Sequence, residues 1–293
     1  MKLSLPALTE MKTRGEPIVM ITAYDHPSAQ IVDRAGVDLV LVGDSAANTV
    51  LGHDPISTVG ATMDELAMLT AAVARGCERA LVIGDLPFMS YQVSNEETVR
   101  NAGRFVKDAG ADAVKLEGAG QSVQRVAGIV AAGIPVMGHV GLTPQTATML
   151  GGHRAQGREW HKAKKVFDDA VALEAAGCFA IVLECVPEPV AAAITSRLRI
   201  PTIGIGSGAA TDGQVLVLHD ALGMRPGAHE PKFVKRFAEV GEAMEAGVHR
   251  YADEVRARTY PAPEHTFAIA PEELAAFETA VGVGAEQNIL ADW

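Results

Sequence analysis

Five times along this 293-residue chain a glycine is followed, within three positions, by a short apolar run that closes on an ionisable residue. Gly36 precedes DLVLVGD, ending at Asp44; Gly76 precedes RALVIGD, ending at Asp85; Gly110 precedes DAVKLE, ending at Glu117. Gly133 precedes PVMGH, ending at His139, and Gly177 precedes FAIVLE, ending at Glu184. Each glycine is expected just past a helix C-terminus, in the left-handed conformation that turns the chain into the next strand. The runs are apolar at nearly every position, as parallel strands covered on both faces require and half-exposed hairpins do not. Two more runs, IVMITAY before Asp25 and PTIGIG from Pro201, extend the series, and Val215 to Leu218 is a weaker eighth strand. Strands alternating with helices in this number predict an α/β fold of the (β/α)8 TIM type, which takes a chain of roughly 250 residues.

The last unit is expected to be irregular, because the stretch between Gly208 and Val215 is too short for a helical crossover. Thr62-x-x-Glu65 and Ser94-x-x-Glu97 match the capping box that opens a helix. Past Pro231 the chain turns polar and is expected to be helical through Arg258, with another helix from Pro271. Residues 1–293 are therefore read as one barrel domain with a C-terminal helical appendage over 231–293.

A net charge of −11 argues against nucleic acid or an anionic membrane as partner, since both attract basic surfaces. Cys77, Cys178 and Cys185 are odd in number and form no C-x-x-C pair, which fits a reducing cytoplasm and neither a disulfide framework nor a cysteine zinc site. No apolar run reaches the roughly 20 residues of a membrane span, and the N-terminus lacks a signal-peptide pattern, so a soluble cytoplasmic protein is expected.

Loop lengths point to one end of the barrel. Helix-to-strand joints are minimal, whereas the strand-to-helix joints over 45–61 and 141–160 are long, and barrel active sites lie at the C-terminal strand ends where such joints sit. Asp44, Asp85, Glu117 and Glu184 should meet there. Taken singly, a strand-end acid is more often a helix cap or an ion-pair partner. Several in register repel one another unless a cation intervenes, and a hard divalent ion such as Mg2+ suits oxygen ligands. Lys115 leaves the same face as Glu117 and either meets an anionic substrate or pairs with a neighbouring acid; His139 is either a satisfied barrel histidine or part of the site. Weaker signals are the glycine-rich IGIGSG with Ser207 as an anion site, Asp25 as a helix cap, Met63 and Met68 as core, and Cys185 as packing with no base to activate it.

The strings ITAYD, LVGDS, DLPFMSYQ, DAVKLEG, AGIPVMGHVGLTPQ, VLECVP, PTIGIGSG, DGQVLVLHDALG and PEHTF resemble, in order and spacing, the ketopantoate hydroxymethyltransferase family from about Leu8 to Phe267. That resemblance implies transfer of a hydroxymethyl group from 5,10-methylenetetrahydrofolate to 3-methyl-2-oxobutanoate in pantothenate synthesis, with Mg2+, in a cytoplasmic homodecamer. It implies Asp44, Asp85 and Glu117 at the metal; Asp44, Ser45, Asp85 and Lys115 at the keto acid, with His139 beside them; and Glu184 as the acid/base. Ala46-Ala47-Asn48, Ser207 and Thr211 depart from the family pattern, and none of them is a metal-site acid. A Mg2+-dependent lyase of the phosphoenolpyruvate mutase and isocitrate lyase kind is the rival enzyme, although the lysine-lysine-cysteine-glycine-histidine loop of such lyases is not found here. A catalytically silent barrel is the rival outside enzymes, and it is disfavoured by the full set of acids.

Overall fold

The computed structural model describes residues 2–225, 227 and 231–283. Eight parallel strands close into a barrel in chain order: β1 (Ile18–Thr22), β2 (Leu39–Val42), β3 (Leu81–Asp85), β4 (Ala113–Lys115), β5 (Val136–Gly141), β6 (Ala180–Glu184), β7 (Thr202–Ile205) and β8 (Gly213–Leu216). β8 pairs with β1 and completes the ring. The eighth strand begins two residues earlier than the run at Val215 suggests, and no helix separates it from β7.

Strand alternation sorts the apolar residues into two cores. Leu39 and Leu41, Leu81 and Ile83, Ala113, Met137, Ala180 and Val182 form one cluster, whereas Val40 and Val42, Val82, Val114, Val136 and Ile181 belong to another shared with the surrounding helices. The first row fills the barrel interior; the second is the layer between sheet and helices. The helix Leu5–Arg14 adds Leu8 and Met11 to the interior cluster, and each such buried aliphatic side chain stabilises the fold by about 1.5 to 3 kcal/mol.

Gly36, Gly110, Gly133 and Gly177 adopt the expected left-handed conformation, with φ of 86°, 78°, 85° and 103°. Gly76 does not: it is the last residue of the helix Met63–Gly76, and it is glycine for want of space. A Cβ there would lie 2.7 Å from the Ala29 Cβ, so the glycine lets two helices touch. Thr62 forms a complete capping box with Glu65, while Ser94 accepts from the Glu97 amide without the reciprocal bond. Asp25 caps the helix His26–Arg34 as expected.

The chain falls into two compact units, Met1–Gly241 and Glu242–Trp293. The helix expected from Pro231 through Arg258 starts instead at Val240 and runs to Arg256; another spans Pro271–Val281. The part of the expected appendage over 284–293 lies outside the described residues.

Candidate active site

The interior rows continue beyond the apolar core and become polar at the barrel mouth. Leu81 and Ile83 are followed on the same face by Asp85, Ala113 by Lys115, Met137 by His139, and Ala180 and Val182 by Glu184. Asp85 and Lys115 are register partners across β3 and β4, as are Gly141 and Glu184 across β5 and β6. Asp44 arrives differently: β2 ends at Val42, and the turn through Gly43 lets the Asp44 amide donate to Asp85 Oδ2 at 3.1 Å.

Lys115 Nζ donates to both oxygens of Asp85, at 2.7 and 2.8 Å, and lies 4.0 Å from Glu117 Oε1. His139 sits between two acids, with Nδ1 3.3 Å from Glu117 Oε1 and Nε2 3.2 Å from Glu184 Oε2. These histidine contacts are within ion-pair range but not aligned as hydrogen bonds, so Glu117 Oε1 and both ring nitrogens are buried without a hydrogen-bond partner. Asp44, Asp85, Lys115, Glu117 and His139 are between 1% and 5% exposed. All of them, with Ser45 and Glu184, line one cavity of about 2050 Å³. Ser45 is held by the Tyr24 hydroxyl at 2.7 Å.

Four carboxylates face two cations here, so burial acts on an excess of negative charge. It pushes the Asp85 carboxyl up to about 7, with Asp44 and Glu117 adding to the rise and Lys115 opposing it. Glu117 is also raised, by burial first. Burial alone would lower Lys115, but Asp85, Glu117 and Asp44 outweigh it and keep the ammonium charged. His139 is pulled down by burial and by Lys115, yet Glu117 and Glu184 win and hold the imidazole at about 9.

Among the described residues no three His, Cys, Asp or Glu side chains form a ready-made metal cage. The residues nonetheless fit Mg2+, which uses one or two carboxylates and fills its shell with water and substrate oxygens. Asp44, Asp85 and Glu117 supply the hard oxygens, and the unpartnered Glu117 Oε1 is one left open.

Two residues at the site carried no role in the sequence reading. Gln145 donates to Asp44 through its side chain and to Glu117 through its backbone, and Tyr91 donates to Gln145. Both lie in strings that carry the family resemblance, AGIPVMGHVGLTPQ and DLPFMSYQ, which was the available signal. Other expectations are corrected. Ser207 is buried and bonds Leu183 O and the Val186 amide, tying β6 to β7, so it has no hydroxyl free for an anion. Met68 is 62% exposed, whereas Met63 packs against the core. Cys185 agrees with its expectation: burial first, then Glu184, pushes its thiol up to about 12, so it stays protonated.

A closed parallel barrel whose mouth gathers buried acids, a lysine and a histidine has the form of an α/β-barrel enzyme, a class whose active sites lie at the C-terminal strand ends. Residues 2–263 match the family model for ketopantoate hydroxymethyltransferase. Relatives named 3-methyl-2-oxobutanoate hydroxymethyltransferase include one from Carboxydothermus hydrogenoformans, 52% identical over 93% of this chain and 98% of the relative. One from Moorella thermoacetica is 54% identical over 91% and 98%. An Arabidopsis thaliana relative, named as the mitochondrial enzyme 1 of that activity, is 49% identical over 95% of this chain and 81% of its own length. This chain belongs to the ketopantoate hydroxymethyltransferase family. Phosphonopyruvate hydrolase shares its fold, with a TM-score of 0.60 at 13% identity over 98% of this chain and 99% of that one. So does 2,3-dimethylmalate lyase, described as a PEP mutase/isocitrate lyase superfamily member, with a TM-score of 0.57 at 16% identity over 97% and 98%. The rival lyases therefore share the barrel, and the family match separates this chain from them.

Proposed function

We propose that this chain transfers a hydroxymethyl group from 5,10-methylenetetrahydrofolate to 3-methyl-2-oxobutanoate, giving 2-dehydropantoate for pantothenate and coenzyme A synthesis. The observation that carries the reading is the buried cluster of Asp44, Asp85, Lys115, Glu117 and His139, joined by the half-buried Glu184, on one cavity. That cavity, about 2050 Å³, exceeds the roughly 300 to 1,000 Å³ of an ordinary ligand pocket and leaves room for a folate beside a five-carbon keto acid.

Asp44, Asp85 and Glu117 would hold Mg2+, which when bound supplies Lewis-acid stabilisation to the oxygen where negative charge collects. Lys115 and His139, both cationic, offset the charge of the keto-acid carboxylate, and Ser45 offers a hydroxyl at the same wall. Glu184, at 15% side-chain exposure the more accessible of the two acids beside His139, takes the C3 proton of the keto acid. C3 then bonds to the one-carbon unit as its two C–N bonds to the folate break, water provides the hydroxyl group, and the C3 proton and the second water proton restore the two N–H groups of the departing tetrahydrofolate. A cytoplasmic homodecamer belongs to the same proposal; among the described residues no helix is long and apolar enough to cross a membrane.

The test is turnover of 3-methyl-2-oxobutanoate with the methylene donor and Mg2+, with 2-dehydropantoate followed by proton NMR. Product formed in step with tetrahydrofolate supports the reading. Cleavage of a 2-substituted malate without folate-dependent synthesis would instead favour the lyase rival.

A further inference from the structure

Gln145 has no charge to contribute, yet every polar group of its side chain is committed to the acid cluster. Nε2 donates to Asp44 Oδ2 and to the Leu86 carbonyl, each at 3.0 Å, and Oε1 accepts from the Tyr91 hydroxyl at 2.7 Å. Its backbone amide donates to Glu117 Oε2 at 3.1 Å. The residue is 3% exposed, so water does not substitute for these partners.

The orientation of the amide is fixed by the chemistry of its neighbours. Tyr91 accepts a bond from the Glu117 amide at 3.3 Å and donates its own O–H to Oε1, which leaves the NH2 group facing Asp44 and Leu86 O. A flipped amide would set oxygen against a carboxylate and a carbonyl. The direction of donation is thus continuous from Glu117 N through Tyr91 and Gln145 to Asp44, and such chains reinforce one another. Asp44 and Glu117 follow β2 and β4, which are not neighbours in the barrel because β3 lies between them. Gln145 comes from the short turn Pro144–Thr146 after β5 and bridges both.

We infer that Gln145 is a positioning residue for the reaction: with Tyr91 orienting it, it sets the carboxylates of Asp44 and Glu117 relative to each other. This rests on the roles proposed above for Asp44 and Glu117.

Gln145→Met keeps length and volume while removing the side-chain bonds, and Tyr91→Phe removes the bond that orients the amide. The expected result is a folded Gln145→Met enzyme with kcat lowered about 10- to 100-fold, the range for residues that orient metal-site ligands, and a smaller change in KM for the keto acid. Tyr91→Phe should lose less, and the double variant should fall no further than Gln145→Met alone, since both act through one network. A crystal structure of Gln145→Met should show the Asp44 carboxylate turned away. Unchanged kcat with only a lower melting temperature, in either variant that folds, would overturn the inference and leave Gln145 a strut. So would additive losses, or an Asp44 left in place in the variant crystal structure. Failure of the parent to make 2-dehydropantoate would count against the functional reading, and the Asp44 geometry would still judge Gln145.

Discussion

At the scale of residues, the site is a problem in buried charge. Lys115 holds both oxygens of Asp85 within the barrel, and removing one member of such a pair strands the other, at a cost of about 3 to 5 kcal/mol. Lys115→Met should therefore be destabilised by that order in urea unfolding and lose keto-acid binding. Asp85→Leu combined with Lys115→Met should recover most of the stability and none of the activity. Equal stability of Lys115→Met and the parent would mean that the pair is not buried as described. Asp85, Lys115, His139 and Glu184 were legible in the sequence because strand alternation alone puts them on the face of the interior core. Asp44 was not placed by alternation, which gives that face to Gly43; only the turn after Val42 brings it in. Gln145 was illegible from pattern for another reason, since an uncharged side chain in a loop has no periodicity to betray it, and only its place in AGIPVMGHVGLTPQ marked it.

At the scale of elements, short polar ties lock helices to strands. Asp33, at the end of the helix His26–Arg34, accepts from the amides of Glu78, Arg79 and Ala80 at the entrance to β3. Burial would raise its carboxyl, but these amides, Ala80 foremost, reverse the effect and hold the folded-state value below the ordinary one. A depressed carboxyl contributes stability present above the unfolded value of about 3.9 and lost as pH falls toward the folded value. Asp33→Asn should cost about 1 to 3 kcal/mol at neutral pH, and the gap should close as the pH is lowered through that window. A gap that stays constant with pH would show that the charge is not what the amides hold. The glycine-marked helix ends were legible because φ above zero favours glycine; Gly76 was misread because a need for space and a need for a left-handed turn select the same residue. Helix was expected from Pro231 on polar composition alone, which does not separate a helix from the irregular stretch that precedes Val240.

At the scale of the whole molecule, the barrel was legible because its unit repeats, while the number of subunits was not, because no repeat in the sequence records it. In the helix Val240–Arg256, Met244, Val248, Tyr251 and Val255 recur at helical spacing and are all exposed on the single chain. Light scattering should find a homo-oligomer, with a decamer the state the family resemblance implies; a stable particle of 30.7 kDa at micromolar concentration would contradict it. The central claim is that the strand-end acids activate the keto acid before any one-carbon chemistry, and proton exchange isolates that step. In deuterated water with Mg2+ and no tetrahydrofolate, the parent should exchange the C3 proton of 3-methyl-2-oxobutanoate, followed by proton NMR. Glu184→Gln, which keeps the shape of the side chain but cannot take a proton, should slow the exchange strongly while keto-acid binding by calorimetry stays near that of the parent, and chelation should stop it in both. Exchange at the parent rate in Glu184→Gln, or exchange unaffected by chelation, would contradict the account.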